Sequence, residues 1–307
     1  MTDIDKELLQ HYISLKDYSL TQENFELYHN RELDMLVTIP KPTNEELGRF
    51  YENSEYLPHT DSHKSLFDKL YQFVKKNAIA HKVNLLNSLK PKSKTVLDIG
   101  TGTGDFLLAC KINGWKTTGI EPNKNARFLT QEKFQQLSSK DSSNQFYDSL
   151  KSLQESYFEN PVQFDVITMW HVLEHVPDVE NYIKQIKSLL NPNGTIIVAV
   201  PNFKSYDAFY YGKFWAAFDV PRHLSHFSKK SIAVLFGNEN MEVIKIFPMK
   251  MDSFYVSLLS EKYKTGKMNY FKGFLIGLQS NIKALISNEY SSHIYIIKNK
   301  KIDLNRF

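Results

Sequence analysis

Three glycines alternate with two threonines in a short loop that follows the β-branched run Thr95 to Ile99. The loop runs from Gly100 to Gly104, and a helical pattern begins at Asp105. Glycine permits a sharp turn and lets a ligand touch the backbone, beside helix amide groups that attract anions. A dinucleotide fingerprint, G-x-G-x-x-G, would need glycine where Asp105 stands. The loop therefore predicts a nucleotide-like ligand other than a dinucleotide.

Acidic residues surround this loop. Asp98 precedes it and Asp105 follows it, and two carboxylates would repel a pyrophosphate, so the ligand should carry positive charge here. Glu121 closes the next strand, at a position suited to accept both hydroxyls of a ribose. These features describe a ligand with a ribose, an adenine-sized flat end and a cationic end. S-adenosylmethionine fits this description better than NAD.

Segments that alternate between strand and helix position these residues. Strand patterns cover Thr95 to Ile99, Lys116 to Ile120, Gln145 to Tyr147, Phe164 to Met169, Thr195 to Val200, Glu242 to Phe247 and Ser292 to Lys298. Helical patterns cover Ser65 to Leu89, Asp105 to Asn113, the segment that ends near Gln136, and Val179 to Leu190. Parallel strands need long connections, so this alternation predicts an α/β fold with a doubly wound, mainly parallel sheet. We expect one antiparallel strand near the C-terminus.

Four motifs in chain order resemble those of the class I S-adenosylmethionine-dependent methyltransferases, over about residues 91 to 300. They are Leu97 to Gly104, Gly119 to Asn123, Phe164 to Ile167 followed by Leu173 to Asp178, and Leu190 to Thr195. The chain is identified as a member of the bacterial small-molecule type (methyltransferase-23-like). The resemblance implies a seven-stranded, Rossmann-like methyltransferase fold with S-adenosyl-L-methionine as the cofactor.

The resemblance also implies which residues bind the cofactor. They are Asp98, Gly100, Thr101, Gly102, Gly104, Glu121, Pro122, Asp148, Trp170 and His171. In this interpretation Asp98 and the first two glycines line the methionine end, and Glu121 binds the ribose. Asp148 or Leu150 borders the adenine. Trp170 and His171 lie where the cofactor and the acceptor meet, since ligands bind at the carboxyl ends of parallel strands.

Histidines are the candidates for a catalytic base. Methyl transfer displaces a sulfonium carbon, so an enzyme chiefly aligns the reactants and excludes water. An oxygen nucleophile also gains from a base, and histidine has a suitable pKa. We expect His171, His223 or His226 in this role, with O-methylation of a small-molecule or lipid-like acceptor. The alternatives are a methyltransferase of nucleic acid or protein, and a protein that binds the cofactor without turnover.

The spacing His171-x-x-Glu174-His175 also matches a motif of one class of zinc peptidases, in which two histidines on one helix face bind zinc. The motif directly follows a strand within the methyltransferase pattern. It also resembles a segment of quinone-type O-methyltransferases, some of which use a divalent ion near Glu-x-x-Glu-His. Here His171 replaces the first Glu, which weakens a magnesium site because that ion prefers oxygen ligands. We therefore predict no metal site.

Two regions extend the predicted methyltransferase domain of residues 91–307. An aromatic segment at about residues 203–227 is either a core helix or a lid over an acceptor pocket, and Arg222 with His223 offers anion binding and a base. Residues 1–90 are predicted to form a helical accessory region. Part of this region resembles an N-terminal zinc knuckle, but Asn30 and Leu33 occupy the cysteine positions, so we expect it to hold its shape by packing.

Composition limits the class of protein. The chain has 307 residues, of which 42% are hydrophobic and 23% charged, as in globular proteins. It has no apolar run long enough to span a membrane and no signal-peptide pattern, and its single cysteine, Cys110, allows no internal disulfide. We therefore predict a cytoplasmic protein. The net charge of +4 gives no strong nucleic-acid signal, although lysines concentrate after Glu261. The oligomeric state is left open.

Overall fold

The structure is a computed structural model that describes residues 9–51, 66–137, 145–158 and 162–301. Its contacts divide the chain into two compact units. Unit 1 comprises Met1–Asn53, His171–Ile183 and Val198–Phe307, and unit 2 comprises Ser54–Trp170 and Lys184–Ile197. This division does not coincide with the predicted boundary between residues 90 and 91.

The bounds of the elements follow in chain order. The strands are β1 Leu9–Lys16, β2 Asn24–Asn30, β3 Met35–Ile39, β4 Thr95–Ile99, β5 Lys116–Ile120, β6 Gln145–Tyr147, β7 Phe164–Trp170, β8 Leu190–Pro201, β9 Ser225–His226, β10 Met241–Pro248 and β11 Ser292–Asn299. The α-helices are α1 Asn44–Leu47, α2 Leu66–Ser88, α3 Asp105–Ile112, α4 Lys124–Leu137, α5 Leu150–Ser156, α6 Val179–Ser188, α7 Tyr206–Tyr211, α8 Lys229–Asn238, α9 Asp252–Thr265 and α10 Tyr270–Ser287. Short 3-10 helices cover Gly48–Tyr51, Leu173–His175, Gly212–Phe214 and Ala216–Phe218.

Seven strands form one sheet in the order β10-β11-β8-β7-β4-β5-β6. Strand β4 pairs in parallel with β5 and β7, and β5 pairs in parallel with β6. Near the C-terminus, β10 pairs antiparallel with β11. Parallel neighbours require crossover helices, and α3 to α5 supply them between β4 and β7. The predicted α/β fold with a mainly parallel, seven-stranded sheet is confirmed.

The centre of unit 2 is built from the apolar strands β4 and β7. Val96, Leu97, Val166 and Ile167 have no exposed surface. Continuous apolar runs of this kind are typical of strands covered on both faces. The carboxyl ends of these strands are therefore held in place by the packed core. The glycine loop begins directly after β4.

The N-terminal residues differ from the helical prediction, because residues 9–39 form three strands. Strands β1, β2 and β3 join β9 in a separate four-stranded sheet, with antiparallel pairing between neighbours. In β2 the buried Phe25 and Leu27 alternate with half-buried neighbours, which is a strand periodicity. The turn before β3 is closed where Leu33 donates its N–H to Asn30 Oδ1 at 3.0 Å. The residues that replace the knuckle cysteines thus build a β-hairpin turn.

The aromatic segment packs mainly as core. Phe203, Tyr211, Trp215 and Phe218 are buried in the hydrophobic core of unit 1, whereas Phe209 is exposed. Trp215 donates its indole N–H to Asp207 at 2.8 Å, which satisfies the polar atom of a buried ring. The core interpretation of this segment therefore describes most of its rings better than the lid interpretation.

The helices were also compared with the length and hydropathy that a membrane span needs. Within residues 9–51, 66–137, 145–158 and 162–301, none of them meets that requirement.

Candidate active site

The glycine loop of unit 2 adopts a backbone that favours glycine. Gly100, Gly102 and Gly104 have φ angles of 75°, 59° and 79°, in the left-handed region. A Cβ on Gly104 would lie 2.5 Å from Cγ2 of Thr130, which is a severe overlap. A Cβ on Gly102 would meet nothing within 4 Å. The protein itself therefore requires a small residue at Gly104, whereas the space beside Gly102 is open to a ligand.

Glu121, at the end of β5, holds the loop. Its Oε2 accepts the N–H of Gly102 at 2.7 Å, and its Oε1 accepts the N–H of Asn123 at 2.9 Å. Each carboxylate oxygen keeps a second lone pair, so Glu121 can also accept hydrogen bonds from two hydroxyls. The residue predicted to bind the ribose thus also shapes the loop.

Asp98, at the penultimate position of β4, is buried. Its Oδ1 accepts the hydroxyl proton of Thr168 at 2.6 Å. Burial raises the pKa of Asp98 to about 7, although the hydrogen bond from Thr168 and the charge of Lys82 act in the opposite direction. A carboxylate held in this state gains most from a cationic ligand, because a nearby positive charge favours its ionised form.

An aromatic pair beside Asp98 already holds a cation. Lys82 Nζ lies 4.2 Å from the ring centroid of Trp170 and 5.9 Å from that of Phe106. The two rings meet edge to face at 5.5 Å. Among the described residues, the buried indole nitrogen of Trp170 has no hydrogen-bond partner. An aromatic wall and a buried acid both favour positive charge, and within the protein Lys82 supplies it.

The other predicted cofactor residues have different surroundings. Thr101 is buried and donates its hydroxyl to the Asp98 carbonyl at 3.0 Å, so it supports the loop. Pro122 is exposed. Asp148 is also exposed, and its Oδ1 accepts the hydroxyls of Ser149 and Ser152, which lower its pKa. Leu150 is buried at the start of α5. The adenine contacts predicted for Asp148 and Leu150 stay a prediction.

Asp105 differs from its predicted electrostatic role. Its carboxylate lies 2.7 Å from Nζ of Lys75 and 2.5 Å from Nζ of Lys133. Two ammonium groups compensate its charge, so Asp98 and Glu121 are the acids left to attract a cationic ligand at this loop. Sequence reasoning also missed Lys82 and Thr168. A lysine in an amphipathic helix and a threonine in an apolar strand gave only weak signals.

In unit 1, His171 is held between two acids. Its Nδ1 lies 3.3 Å from Oε1 of Glu174, and its Nε2 lies 3.2 Å from Oδ2 of Asp252. Burial alone would lower its pKa, but the hydrogen bonds to Asp252 and Glu174 outweigh this and raise the pKa to about 10. A histidine that donates from both nitrogens is an imidazolium near neutral pH. It therefore suits binding or orientation better than the predicted role of base.

His175 is neutral, in contrast, and was not among the predicted bases. Burial and the nearby His223 lower its pKa to about 4. Its Nδ1 lies 3.0 Å from both the Arg222 carbonyl and the Tyr51 hydroxyl. The carbonyl can only accept, so we assign the proton to Nδ1, with the Tyr51 oxygen as a second acceptor. Nε2 then carries the lone pair. Its signal was present in the sequence as the last residue of the His171-x-x-Glu-His175 motif.

The two other candidate histidines hydrogen-bond to different groups. His223 donates from Nδ1 to the Ala217 carbonyl at 2.8 Å, and its Nε2 lies 4.0 Å from Oδ2 of Asp219. Thr38 gives its hydroxyl proton to the His223 carbonyl, so His226 Nε2 must donate to Thr38 Oγ1 at 3.3 Å. Burial lowers the pKa of His226 well below the ordinary value. His226 thus joins β3 to β9 and is better explained as a structural residue.

Arg222 cannot serve as the predicted free anion-binding group. It is buried, and its guanidinium donates to Asp219 at 2.7 Å and to Asp17 at 2.8 Å. Burial opposes its charge, but Asp219 and Asp17 outweigh burial and raise its pKa. The same contact with Arg222 helps to keep the pKa of Asp17 far below its usual range despite burial. The charged groups of this ion cluster, which consists of Asp17, Asp219 and Arg222, therefore bind one another and not a ligand.

A potential metal-ligand group lies beside that cluster. One ligand atom each from Glu174, His175 and His223 falls within 4.8 Å of the others. Oε2 of Glu174 is buried and has no hydrogen-bond partner among the described residues. A carboxylate and two imidazoles could hold a transition metal ion. His171, the first histidine of the sequence motif, is not in this group, and the predicted absence of a metal stays a prediction.

Residues 69–246 of the chain match a family described as "Methyltransferase domain". This match covers more than half of the chain and includes the glycine loop, Glu121 and the four histidines described above. The chain belongs to this methyltransferase family. The predicted class I S-adenosylmethionine-dependent methyltransferase is confirmed, and with it the predicted enzyme class and the cofactor that the family uses.

Curated relatives carry the name ubiquinone biosynthesis O-methyltransferase. The protein of Aeromonas salmonicida (strain A449) is 28% identical to this methyltransferase over 191 residues, which are 59% of this chain and 76% of that protein. The protein of Vibrio atlanticus (strain LGP32) is 33% identical over 120 residues, which are 37% of this chain and 46% of that protein. The chain thus spans less than half the length of the Vibrio relative.

Solved structures share the fold of this methyltransferase. Magnesium protoporphyrin IX methyltransferase (ChlM) from Synechocystis PCC 6803, with bound SAM, has a TM-score of 0.52 and 14% identity, covering 85% of this chain and 99% of that one. The [4+2]-cyclase SpnF has a TM-score of 0.53 and 14% identity, covering 85% and 98%. One fold thus carries proteins named for different reactions, and the acceptor must be argued from the site.

Proposed function

We propose that this methyltransferase transfers a methyl group from S-adenosylmethionine to an oxygen atom of a small-molecule acceptor, in the cytoplasm. The neutral His175, whose lone pair is on Nε2, is the observation that favours an oxygen acceptor. The O-methyltransferase names of the curated relatives support the same acceptor class. A single, buried and unpaired cysteine, Cys110, supports a reducing compartment.

We assign the cofactor to unit 2. Asp98 and the Trp170 ring favour the cationic end, Glu121 accepts the ribose hydroxyls, and Gly102 leaves space for close approach to the backbone. When bound, S-adenosylmethionine supplies the methyl group. The task of these residues is to hold and orient it, since alignment gives much of the acceleration in a displacement reaction.

We assign the acceptor chemistry to the histidines of unit 1. Nε2 of His175 can accept the proton of an acceptor hydroxyl, because Nδ1–H is committed to the Arg222 carbonyl. The imidazolium of His171 would bind the partial negative charge that develops on the acceptor oxygen as the proton leaves.

A pair of glycine variants tests the cofactor assignment. Gly102 and Gly114 both have positive φ angles, and a Cβ on either would meet nothing within 4 Å. Gly102→Ala should abolish binding of S-adenosylmethionine in a calorimetric titration, because the new methyl group would occupy the ligand's space. Gly114→Ala carries similar backbone strain away from the loop and should bind normally. Equal affinities of both variants for S-adenosylmethionine would show that the cofactor does not bind at this loop.

Methylation of an alkyl catechol, followed with radiolabelled S-adenosylmethionine, tests the acceptor assignment. His175→Gln should lower the turnover number and leave cofactor affinity unchanged. His226→Gln, a buried histidine outside the proposed reaction, is the matched control. Tight cofactor binding with no transfer to catechols, phenols or other hydroxyl compounds would favour the alternative of a binding protein without turnover.

A further inference from the structure

Helix α10 buries mainly small residues, together with Ile276, and exposes its other large apolar residues. The buried positions are Gly273, Ile276, Gly277, Ser280 and Ala284. The exposed large residues, which we call the apolar face of α10, are Phe271, Phe274, Leu275, Leu278, Ile282, Leu285 and Ile286. Phe271 is 75% exposed and Ile286 is 89% exposed. A helix that serves only a protein core shows the opposite arrangement.

Close packing against α9 fixes this orientation. A Cβ on Gly273 would lie 2.9 Å from Cα of Leu258, and a Cβ on Gly277 would lie 2.8 Å from Cα of Phe254. Only glycine allows the two backbones to approach so closely. Rotation of α10 to bury its apolar face would therefore force larger side chains into this contact. The close packing of α10 against α9 therefore keeps the apolar face exposed.

The segment of the sequence that contains this face carries charges of one sign. Residues 262–287 contain five lysines and no aspartate or glutamate. Lys262, Lys264, Lys267 and Lys283 are exposed, and Lys272 is half-buried with Nζ 3.3 Å from Glu261. Exposed aromatic and aliphatic residues beside lysines are typical of helices that lie in the interface of a lipid bilayer. Lysines near such a surface also gain energy from anionic lipids.

We propose that the apolar face of α10 docks on the surface of a membrane that contains anionic phospholipids. The helix lies in the plane of the interface, with its rings and aliphatic side chains among the acyl chains. The lysines of residues 262–283 contact headgroup phosphates. A second copy of this chain fits less well, because pairing two such faces would bring lysines against lysines. This inference does not depend on the acceptor proposed above.

Vesicle co-sedimentation tests the proposal with the full chain. The protein should bind vesicles that contain phosphatidylcholine and phosphatidylglycerol in equal amounts, and added salt should weaken the binding. Phe271→Gln with Ile282→Gln should reduce this binding by at least about tenfold, since both variants remove apolar area from the interface. Lys264→Gln with Lys267→Gln should reduce binding by about tenfold on the anionic vesicles, and have little effect on phosphatidylcholine alone.

A matched double variant controls for general loss of surface hydrophobicity. Phe128 and Ile112 are 57% and 65% exposed, on helices of unit 2. Phe128→Gln with Ile112→Gln should bind vesicles as the unchanged protein does. Circular dichroism confirms that each variant is folded. Absence of vesicle binding, or an equal loss in both double variants, would overturn the proposal. So would a dimer in sedimentation that only the α10 variant loses, because the face would then serve self-association.

Discussion

The carboxylates beside the glycine loop of unit 2 and in the ion cluster of unit 1 have different partners, and their pKa values shift in opposite directions. Asp98 has a neutral hydrogen-bond donor, Thr168, and its pKa is raised to about 7. Asp17 and Asp219 share the guanidinium of Arg222, and their pKa values are lowered. Burial outweighs the charge of Lys82 at the first carboxylate, so a cationic ligand can still stabilise its ionised form. The second pair shares one guanidinium within the protein, which offsets one of the two negative charges. The difference separates a binding site from a structural one.

The largest effect should come from opening the ion cluster. Arg222→Met leaves Asp17 and Asp219 without their shared cation, and breaking a buried pair in this way costs about 3–5 kcal/mol. Urea denaturation measures the loss. Arg49→Met is the control, because Arg49 pairs with Glu23 on the surface at 2.8 Å and such pairs contribute about 0–1 kcal/mol. Similar losses in both variants would show that the cluster is not structural.

A smaller effect is expected at Glu121. Replacing it by Ala should weaken binding of S-adenosylmethionine by about 1–3 kcal/mol, the range for losing hydrogen bonds to a charged group. Calorimetric titration gives the dissociation constant. Glu121→Gln keeps one oxygen that can accept the Gly102 N–H, so this variant should lose less affinity for S-adenosylmethionine than Glu121→Ala does. An unchanged constant in Glu121→Ala would refute the ribose assignment.

The pH dependence of cofactor binding follows from Asp98. The raised pKa means that the folded protein without ligand takes up a proton as the pH falls below about 7, whereas an unfolded chain does so only near 4. A cationic ligand needs the ionised form, so its affinity should fall by up to about tenfold per pH unit below 7. Titrations at several pH values measure this. A constant affinity in the unchanged protein would contradict it, and Asp98→Asn should remove the dependence.

The same raised pKa has an opposite consequence for the protein alone. The folded state binds more protons than the unfolded state between about pH 4 and 7, so the contribution of Asp98 to stability decreases as the pH rises through this window. The melting temperature of Asp98→Asn, measured by thermal unfolding, should therefore be higher than that of the unchanged protein above neutral pH. This difference should vanish in acid.

The smallest effect is expected in the pH profile of turnover at saturating cofactor. His175, with a pKa of about 4, is already unprotonated at neutral pH, so turnover should change little from mildly acidic to mildly basic solution. His171, with a pKa of about 10, would instead give a rate that rises steadily with pH if it were the base. A steady rise that disappears in His171→Gln would reverse the assignment.

The sequence predicted the strands around the glycine loop well because the signals for them are local. Glycines, the strand before them and Glu121 lie within 27 positions of Thr95, and each has a conformational or charge requirement that residue type reveals. All seven predicted strands are present, with the largest difference at β8, which begins at Leu190 rather than Thr195. Lys82 was missed because its helix carries many lysines and only the fold selects one.

The histidine region was harder to predict because distant segments build it. Residue types identified His171 and His223 as candidates, but spacing does not reveal the partners of their ring nitrogens, which include Asp252 and the Ala217 carbonyl. The role of Arg222 likewise depends on Asp17, which lies 205 positions away. The strands of residues 9–39 were missed for another reason, since the alternation of Phe25 and Leu27 was visible but was not used.

The long separation between Asp17 and Arg222 also has a consequence for biosynthesis. Chains grow by roughly 5–20 residues per second, so about 10–40 seconds pass after Asp17 is made before its guanidinium partner exists. During that interval the strand edge of β3 lacks β9, and the apolar side chains of β2 lack the core that residues 203–220 complete. Strands β1 to β3 therefore remain without these partners until residue 226 has been translated.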